Sequence, residues 1–183
     1  KIQEYIRGSI CVINCVATFV ETRSQSFNIL HVNAARHLAN VAKKEGIKQF
    51  IHISSLGASA KSSSQLLKSK GEGEEAVLQS FPNANIVRPS LIFGTEDTFF
   101  NRFAKLSSIS PFIPIVGSDT KFQPVYVDDV AKAISVLVET GQEKRYLELG
   151  GDETYTFKEL ISMLLTEIKR KRLILKLPFF LAR

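Results

Sequence analysis

The sequence predicts an α/β protein built on a doubly wound parallel sheet. Apolar, β-branched segments alternate with segments of helical periodicity, and small or hydroxyl-bearing residues follow the strand segments. The intervening helices are long enough for crossover connections. Strands joined in this way form right-handed parallel units and hence an open sheet.

The first half of the chain provides the clearest elements. Ile10–Val16 is an apolar run typical of a strand buried on both faces. Apolar residues then recur at helical spacing from Phe27 to Val41, and Gly46 ends that helix. A strand over Gln49–Ser54, a helix over about Gln65–Ser80 and a strand over Asn85–Arg88 follow.

The second half is less regular. A short helix and a proline-rich stretch are expected between residues 95 and 120, followed by a helix from about Asp128, the expected N-cap, to Glu139. Arg145–Leu149 predicts a short strand. The last helix begins at Thr156, where Thr156-x-x-Glu159 has the form of a capping box.

Composition and charge indicate an ordinary globular domain. The 183 residues are 44% hydrophobic and 23% charged, and no apolar run reaches the roughly 20 residues that span a bilayer. Six of the 24 basic residues lie in the last fifteen, so the rest of the chain is neutral and presents no nucleic-acid-binding face. The basic cluster 169–172 is either a solvated helix end or a contact with an anionic membrane surface or acidic partner.

The two cysteines, Cys11 and Cys15, lie four residues apart in the first strand segment. Their Cα atoms would be about 13 Å apart in an extended strand, too far for a disulfide. Two cysteines cannot form a zinc site, so no metal is expected. We interpret them as buried thiols in a reducing compartment.

A ligand site is expected at the carboxyl ends of the strands, where open α/β sheets bind ligands. The residues at these ends are small, hydroxyl-bearing or amide-bearing. No G-x-G-x-x-G fingerprint is present. Gly71-Glu72-Gly73 falls inside a predicted helix, and Gly150-Gly151 does not open a phosphate loop.

Four segments together resemble the extended and atypical short-chain dehydrogenases, the NAD(P)-dependent epimerase/dehydratase-like family. They match, in order, the fifth strand, the active-site helix, the sixth strand with its cofactor loop, and a late substrate-side segment. The segments are Phe50–Ala58, Lys70–Glu74, Arg88–Gly94 and Gln123–Ala131. The most similar subgroup is the NAD(P)-binding accessory subunit of respiratory complex I with its bacterial relatives. The segment Lys61–Ser64, which precedes the active-site helix, is part of this resemblance.

The resemblance implies a Rossmann-like domain whose glycine-rich N-terminal portion precedes Lys1. Residues 1–183 would then be a single partial NAD(P)-binding domain. Residues up to about 94 would supply the later strands of the sheet, and residues from about 95 onward would form a smaller substrate-side region. The compartment would be the bacterial cytoplasm at the inner membrane or the mitochondrial matrix side of the inner membrane.

The family's catalytic pair, Tyr-x-x-x-Lys, is incomplete here. Residues four apart share a helix face, so the lysine charge lowers the tyrosine pKa for proton transfer. Lys70 matches the lysine and Ser55 the catalytic serine, but Leu66 stands where the tyrosine belongs. The resemblance therefore implies a degenerate catalytic site in which Lys70 binds the cofactor ribose. The alternatives are an exposed helix lysine and a hydrogen-bonded strand-end serine.

The cofactor implied by the resemblance is NADP or NAD, with NADP preferred. Its contacts would come from the strand ends and the active-site helix: Asn14, Val16, Ala17, Ser54, Lys70, Pro89, Ser90 and Ile92. Two functions follow, a non-catalytic accessory subunit or assembly factor of complex I, or an active reductase, epimerase or dehydratase. We expect His52 to be packed and neutral, and His31 and His37 to lie on a helix surface.

Overall fold

The computed structural model describes residues 2–178, which divide into two compact units. Unit 1 holds residues 2–89 and 130–149, and unit 2 holds residues 90–129 and 150–178. The prediction of one partial domain remains a prediction. The first segment of unit 1 ends at residue 89, and residues 130–149 return to this unit.

The described residues contain six α-helices, one π-helix and ten short strands. The α-helices are α1 (Ile2–Ile6), α2 (Ala35–Lys44), α3 (Gln65–Ser80), α4 (Thr98–Ile109), α5 (Val127–Thr140) and α6 (Phe157–Glu167), and the π-helix is Asn28–Ala34. The strands are β1 (Cys11–Asn14), β2 (Gln49–Ile53), β3 (Asn85–Pro89), β4 (Ile92–Phe93), β5 (Phe112–Val116), β6 (Lys121–Phe122), β7 (Val125–Tyr126), β8 (Tyr146–Leu149), β9 (Tyr155–Thr156) and β10 (Leu173–Leu177).

Unit 1 is built on a four-stranded parallel sheet in the order β1-β2-β3-β8. Its two faces bury separate cores because neighbouring strand residues point to opposite sides. Phe50 packs with Val77 and Phe81 on one face, and Ile51 packs with Leu137 on the other. The predicted α/β class with a parallel sheet wound on both faces is confirmed.

Unit 2 contains three two-stranded ribbons, β4-β7 and β5-β10 parallel and β6-β9 antiparallel. Its core joins Ile113 and Ile115 of β5 to Ile161 and Leu165 of α6. The capping box predicted for α6 is confirmed: Thr156 Oγ1 accepts from the Glu159 amide at 3.2 Å, and the Thr156 amide donates to the Glu159 carboxylate at 2.7 Å.

The first strand is shorter and more exposed than predicted. β1 ends at Asn14, and 44% of Ile13 is exposed. Cys11 is half-buried and Cys15, beyond the strand, is exposed. The prediction of two buried thiols is therefore wrong for Cys15, although both cysteines are free as expected.

The predicted first helix divides into the π-helix Asn28–Ala34 and the α-helix α2. The wider turn and a close helix contact bury His31, which is only 3% exposed, so its predicted surface position is wrong. Contact is close because α3 carries Gly73 at this point. A Cβ atom on Gly73 would lie 2.1 Å from the backbone oxygen of His31.

Two expectations about the middle of the chain are also corrected. Helix α5 begins at Val127, so Asp128 lies within its first turn, where it favours the helix dipole, and is not the N-cap. The proline-rich stretch is not irregular, because Pro114 is part of β5. A proline is tolerated in a two-stranded ribbon, where both strands are edges.

The C-terminal segment is tied to unit 2 more closely than a solvated helix end would be. Helix α6 stops at Glu167, and Arg170 then donates to the Ala104 carbonyl at 3.1 Å and to Ser107 Oγ at 3.0 Å. Arg172 Nε donates to the Ser107 carbonyl at 2.8 Å. These arginines satisfy groups near the end of α4. Residues 173–177 form β10, which pairs with β5, while residues 179–183 lie outside the described part.

No helix within residues 2–178 combines the length and the apolar character needed to cross a membrane.

Candidate functional site

The candidate site lies at the carboxyl ends of β1, β2 and β3 in unit 1. Asn14 ends β1, Ser54 follows β2, and Pro89 ends β3. The Ser54 amide donates to the Val87 carbonyl at 2.7 Å and the Leu56 amide to the Pro89 carbonyl at 2.9 Å. These bonds extend the sheet just past the strand ends and fix the orientation of the loop that carries the serines.

A first polar chain links β1 to β2. Asn14 Oδ1 accepts from the Val16 amide at 3.1 Å, so the side-chain NH2 of Asn14 faces His52 Nδ1 at 3.0 Å. His52 Nδ1 therefore accepts, and the proton of the neutral ring is on Nε2. Burial lowers the pKa of His52 to about 4. The predicted packed, neutral His52 is confirmed.

A second polar chain links the π-helix to α3. The Thr18 amide donates to His31 Nε2 at 3.1 Å, and His31 Nδ1 contacts Ser69 Oγ at 2.8 Å. Ser69 Oγ donates to the Leu66 carbonyl at 2.9 Å, so His31 Nδ1–H must be the donor to Ser69. His31 is thus also neutral, and burial together with the Lys70 charge lowers its pKa.

Lys70 is a buried cation with few partners. Its residue is 6% exposed, and Nζ donates to the Ser54 carbonyl at a long 3.5 Å and lies 5.9 Å from the Phe19 ring centre. Burial lowers the pKa of Lys70, and the nearby Glu74 charge opposes this. Glu74 itself is held by Arg88 at 2.6 and 2.9 Å. The alternative of an exposed helix lysine is wrong.

Two serine hydroxyls at the carboxyl end of β2 lack partners. The Oγ atoms of Ser54 and Ser55 are buried and have no hydrogen-bond partner within the described part of the chain. A buried hydroxyl without a partner costs roughly 1–3 kcal/mol. Leu66 is half-buried in the first turn of α3, one turn before Lys70.

The other predicted contacts are distributed over both units. Val16 and Ala17 are exposed just after β1, and Pro89 is buried at the end of β3. Ser90 and Ile92 belong to unit 2, where Ile92 pairs with Val125 in the β4-β7 ribbon. A ligand role for all of these residues remains a prediction.

Sequence reasoning missed four residues that surround Lys70 and its helix. They are Thr18, Phe19, His31 and Ser69. The loop that holds Thr18 and Phe19 shows no periodicity, and the π-turn displaces His31 from the face that α-helical spacing predicts. Only Ser69, as the neighbour of a motif lysine, gave a usable signal.

The glycines of α3 have a packing role rather than a phosphate-binding one. A Cβ atom on Gly71 would lie 2.3 Å from the backbone carbon of Ser59, and Gly73 is equally close to His31. Both glycines lie inside α3, as predicted. Across residues 2–178 there is no cluster of three or more side chains suited to a metal ion.

The parallel sheet wound on both faces, with helices between its strands, defines a Rossmann-like α/β domain. Solved structures share this fold. A dTDP-4-dehydrorhamnose reductase from Bacillus anthracis in complex with NADP aligns with a TM-score of 0.81 over 99% of this chain and 70% of its own, at 17% identity. A UDP-glucuronic acid 4-epimerase from Bacillus cereus in complex with NAD gives 0.80 over 97% and 65%, at 18% identity.

The chain belongs to the RmlD substrate binding domain family, which matches residues 64–174. It is 42% identical over 177 residues to a protein of Arabidopsis thaliana named NADH dehydrogenase [ubiquinone] 1 alpha subcomplex subunit 9, mitochondrial, covering 94% of this chain and 44% of the relative. The Dictyostelium discoideum protein of that name is 38% identical over 90% and 46%. A ceramide reductase of Caulobacter vibrioides is 33% identical over 68% and 39%. The chain thus spans about half the length of the curated relatives it matches, or less.

Proposed function

We propose that this chain is part of an NAD(P)-binding, non-catalytic accessory subunit or assembly factor of respiratory complex I. The observation that carries the proposal is Leu66, which stands one helical turn before a buried Lys70. The lysine and the neighbouring serines are retained, while the position that would transfer a proton is apolar. The assignment to complex I is supported by relatives that are named as mitochondrial subunits of NADH dehydrogenase.

A nicotinamide dinucleotide fits the polar groups beside Lys70. The buried ammonium has three N–H donors but one long hydrogen bond, and the Ser54 and Ser55 hydroxyls have no partner in the described chain. Ribose hydroxyls and a carboxamide could bond to all three groups. When bound, the dinucleotide would supply a hydride-carrying ring, and the protein side of the site would orient it.

Turnover is not expected from this arrangement. Leucine has no proton to donate or accept, and none of the four tyrosines lies on α3. Loss of a general acid typically lowers a rate by roughly 10²–10⁴. Lys70 therefore acts in binding, through its charge and its N–H donors, and the dinucleotide serves as a structural part of the subunit.

Of the two dinucleotides, we prefer NADP because of the resemblance to the complex I subunit. The fold neighbours carry NADP in one structure and NAD in another. The residues that read the 2′-phosphate belong to the early strands, which the resemblance puts before Lys1. Titrating the full-length protein with NADPH and NADH decides between them, and binding of neither would contradict the proposal.

Lys70→Met in the full-length protein should weaken dinucleotide binding by about 10- to 100-fold, the value of a hydrogen bond to a charged group. Lys68→Met is the matched control because Lys68 is an exposed lysine on the same helix. Isothermal titration calorimetry of the two variants measures the difference. Equal affinities would remove Lys70 from the site.

The subunit assignment implies a position on the matrix side of the inner mitochondrial membrane; the names of the relatives give the mitochondrion. Affinity purification of the tagged full-length protein from mitochondria should recover complex I subunits in constant ratio. Recovery of the protein alone, in a mild detergent that keeps complex I intact, would count against an accessory role and leave nucleotide binding untouched.

An active reductase is the second candidate, and two features favour it. One relative is named ceramide reductase, and Ser55 and Lys70 are both retained. NADPH oxidation by the native full-length protein separates the two functions. An accessory subunit should show no turnover with carbonyl substrates, whereas an enzyme that uses another acid would already turn over with Leu66 in place.

Peripheral contact with a membrane surface through the basic tail is part of the same proposal. Arg170 and Arg172 are engaged with α4, so Lys169, Lys171 and Lys176 are the exposed cations of this segment. Each basic residue near an anionic surface contributes about 1 kcal/mol. Lys169→Gln with Lys171→Gln should weaken sedimentation of the full-length protein with phosphatidylserine vesicles at low salt; unchanged sedimentation would exclude this contact.

A further inference from the structure

Unit 2 contains an open cleft of about 550 Å³, within the size range of ligand pockets. Its apolar surface comes from β4, α4, β7 and α6, through Phe93, Phe100, Tyr126, Leu160, Met163 and Leu164. Leu160 is buried at the floor, whereas Tyr126 and Met163 are 39% and 46% exposed at the opening. Large exposed apolar side chains beside a depression are typical of a surface that binds another protein segment.

Four carboxylates surround this apolar surface, and no lysine or arginine lines it. They are Asp129, Asp152, Glu153 and Glu167. Across residues 2–178 none of the four lies within 4.0 Å of a basic side chain. The sign is opposite to that of the chain, which has a net charge of +6. An anionic ligand would be repelled here, and a cationic one attracted.

The carboxylates are spread over three separate elements. Asp129 lies in the first turn of α5, Asp152 and Glu153 lie in the loop before β9, and Glu167 ends α6. Within residues 2–178 no three of them form a group suited to a metal ion, so one small cation does not satisfy the set. An occupant that satisfies both the apolar floor and the separated charges must be extended, with apolar anchors on one face and several basic groups beside them.

We propose that this cleft binds an amphipathic helical segment of a protein partner, with leucine- or phenylalanine-like anchors on the apolar surface and lysine or arginine side chains against the four carboxylates. Helix-in-groove recognition uses anchors at positions i, i+3, i+4 and i+7, which such a surface accepts. The site lies wholly in unit 2 and does not depend on dinucleotide binding.

Two labelled peptides test the proposal on the full-length protein. Both are 14-residue helices with leucines at i, i+3, i+4 and i+7; one carries lysines beside the leucines, and its twin carries glutamates at the same positions. Fluorescence anisotropy should show binding of the lysine peptide, with the glutamate peptide at least tenfold weaker. Equal binding of both peptides, or binding of neither, would overturn the proposal.

Variants then locate the binding. Replacing Asp152→Asn, Glu153→Gln and Glu167→Gln together should weaken the lysine peptide by roughly tenfold, because several partly screened charge pairs are lost. Glu96→Gln is the control, an exposed carboxylate of unit 2 outside the cleft. Met163→Gln tests the apolar surface and should weaken binding severalfold.

Unchanged affinity in the triple variant would also overturn the proposal. Dinucleotide affinity and circular dichroism, measured on the same variants, should be unaltered. This readout separates failure of the cleft proposal from failure of the proposed dinucleotide function, and it shows that the variants fold.

Discussion

The two units of this protein manage their charged residues in opposite ways. In unit 1, Lys70 and Glu74 are buried on one helix, with 6% and 2% of each residue exposed. Glu74 is matched by Arg88, whereas Lys70 has a single long hydrogen bond. In unit 2, Asp152 and Glu153 are exposed at the rim of an apolar cleft.

Burial decides how much each charged group contributes to the free energy of unfolding. A charge removed from water must be compensated by its neighbours, so the loss of one partner in unit 1 has a large cost. An exposed carboxylate in unit 2 is screened by solvent and salt, so its effect is small for stability and appears when a partner binds. Large stability effects should therefore concentrate in unit 1 and small ones in unit 2.

The largest effect is expected from Arg88→Met. It leaves Glu74, whose side chain is 3% exposed, as an uncompensated buried carboxylate, and should lower the free energy of unfolding by about 3–5 kcal/mol. Urea denaturation measures the loss. Combining Arg88→Met with Glu74→Met should recover much of it, and Lys176→Met, in an exposed pair with Asp119, should cause no resolvable change. Equal losses in the single and double variants would refute the role of the buried charge.

A smaller effect, dependent on pH, is expected from His52. Its pKa in the folded protein is about 4, below the ordinary value of 6.5, so the unfolded chain binds more protons between these values. The contribution of neutral His52 to the free energy of unfolding is fully present above pH 6.5. It falls by roughly 3 kcal/mol as the pH is lowered toward 4. His31 acts in the same direction because its pKa is also lowered.

His52→Gln should flatten this dependence, measured as the unfolding free energy at several pH values from 7 to 4. His37→Gln, on the exposed face of α2, is the control and should retain the native slope. A steep slope in His52→Gln equal to that of the native protein would assign the pH dependence to other groups.

The smallest effect is expected in unit 2, from Thr156→Ala. The exchange removes the side-chain cap of α6 and should cost about 1 kcal/mol, since one of the first helical N–H groups loses its acceptor. Thr156→Ser keeps the hydroxyl and should retain most of the stability. A loss in thermal denaturation as large as that of Arg88→Met would break the contrast between the units.

Sequence patterns predicted the elements of unit 1 well because each strand is a short apolar run between helices of full length. The helix Gln65–Ser80 and the strand beginning at Asn85 are observed where they were expected. Errors arose where tertiary contacts overrode local pattern. Cys15 is exposed beyond the end of β1, which stops at Asn14, two residues before the predicted end. Pro114 is in a strand because β10, distant in sequence, pairs with it.

The sequence indicated the motif residues of the candidate site but not the hydrogen bonds that link them to their neighbours. The motif residues Ser55 and Lys70 were identified from resemblance, and Leu66 from spacing. The partnership of His31 with Ser69, 38 residues later, and the missing partners of the Ser54 and Ser55 hydroxyls depend on three-dimensional contacts that no linear pattern encodes. The ligand roles of these residues remain predictions.

The π-helix Asn28–Ala34 also has a consequence for the ancestry of the chain. A π-turn contains one residue more than an α-turn, so such a segment is what a single-residue insertion into a helix produces. Deleting one residue there would restore an α-helix and rotate the part before the deletion by about 100° relative to α2. His31 could not then contact both Thr18 and Ser69. Insertions and deletions among relatives should therefore avoid residues 28–34 wherever this histidine contact is kept.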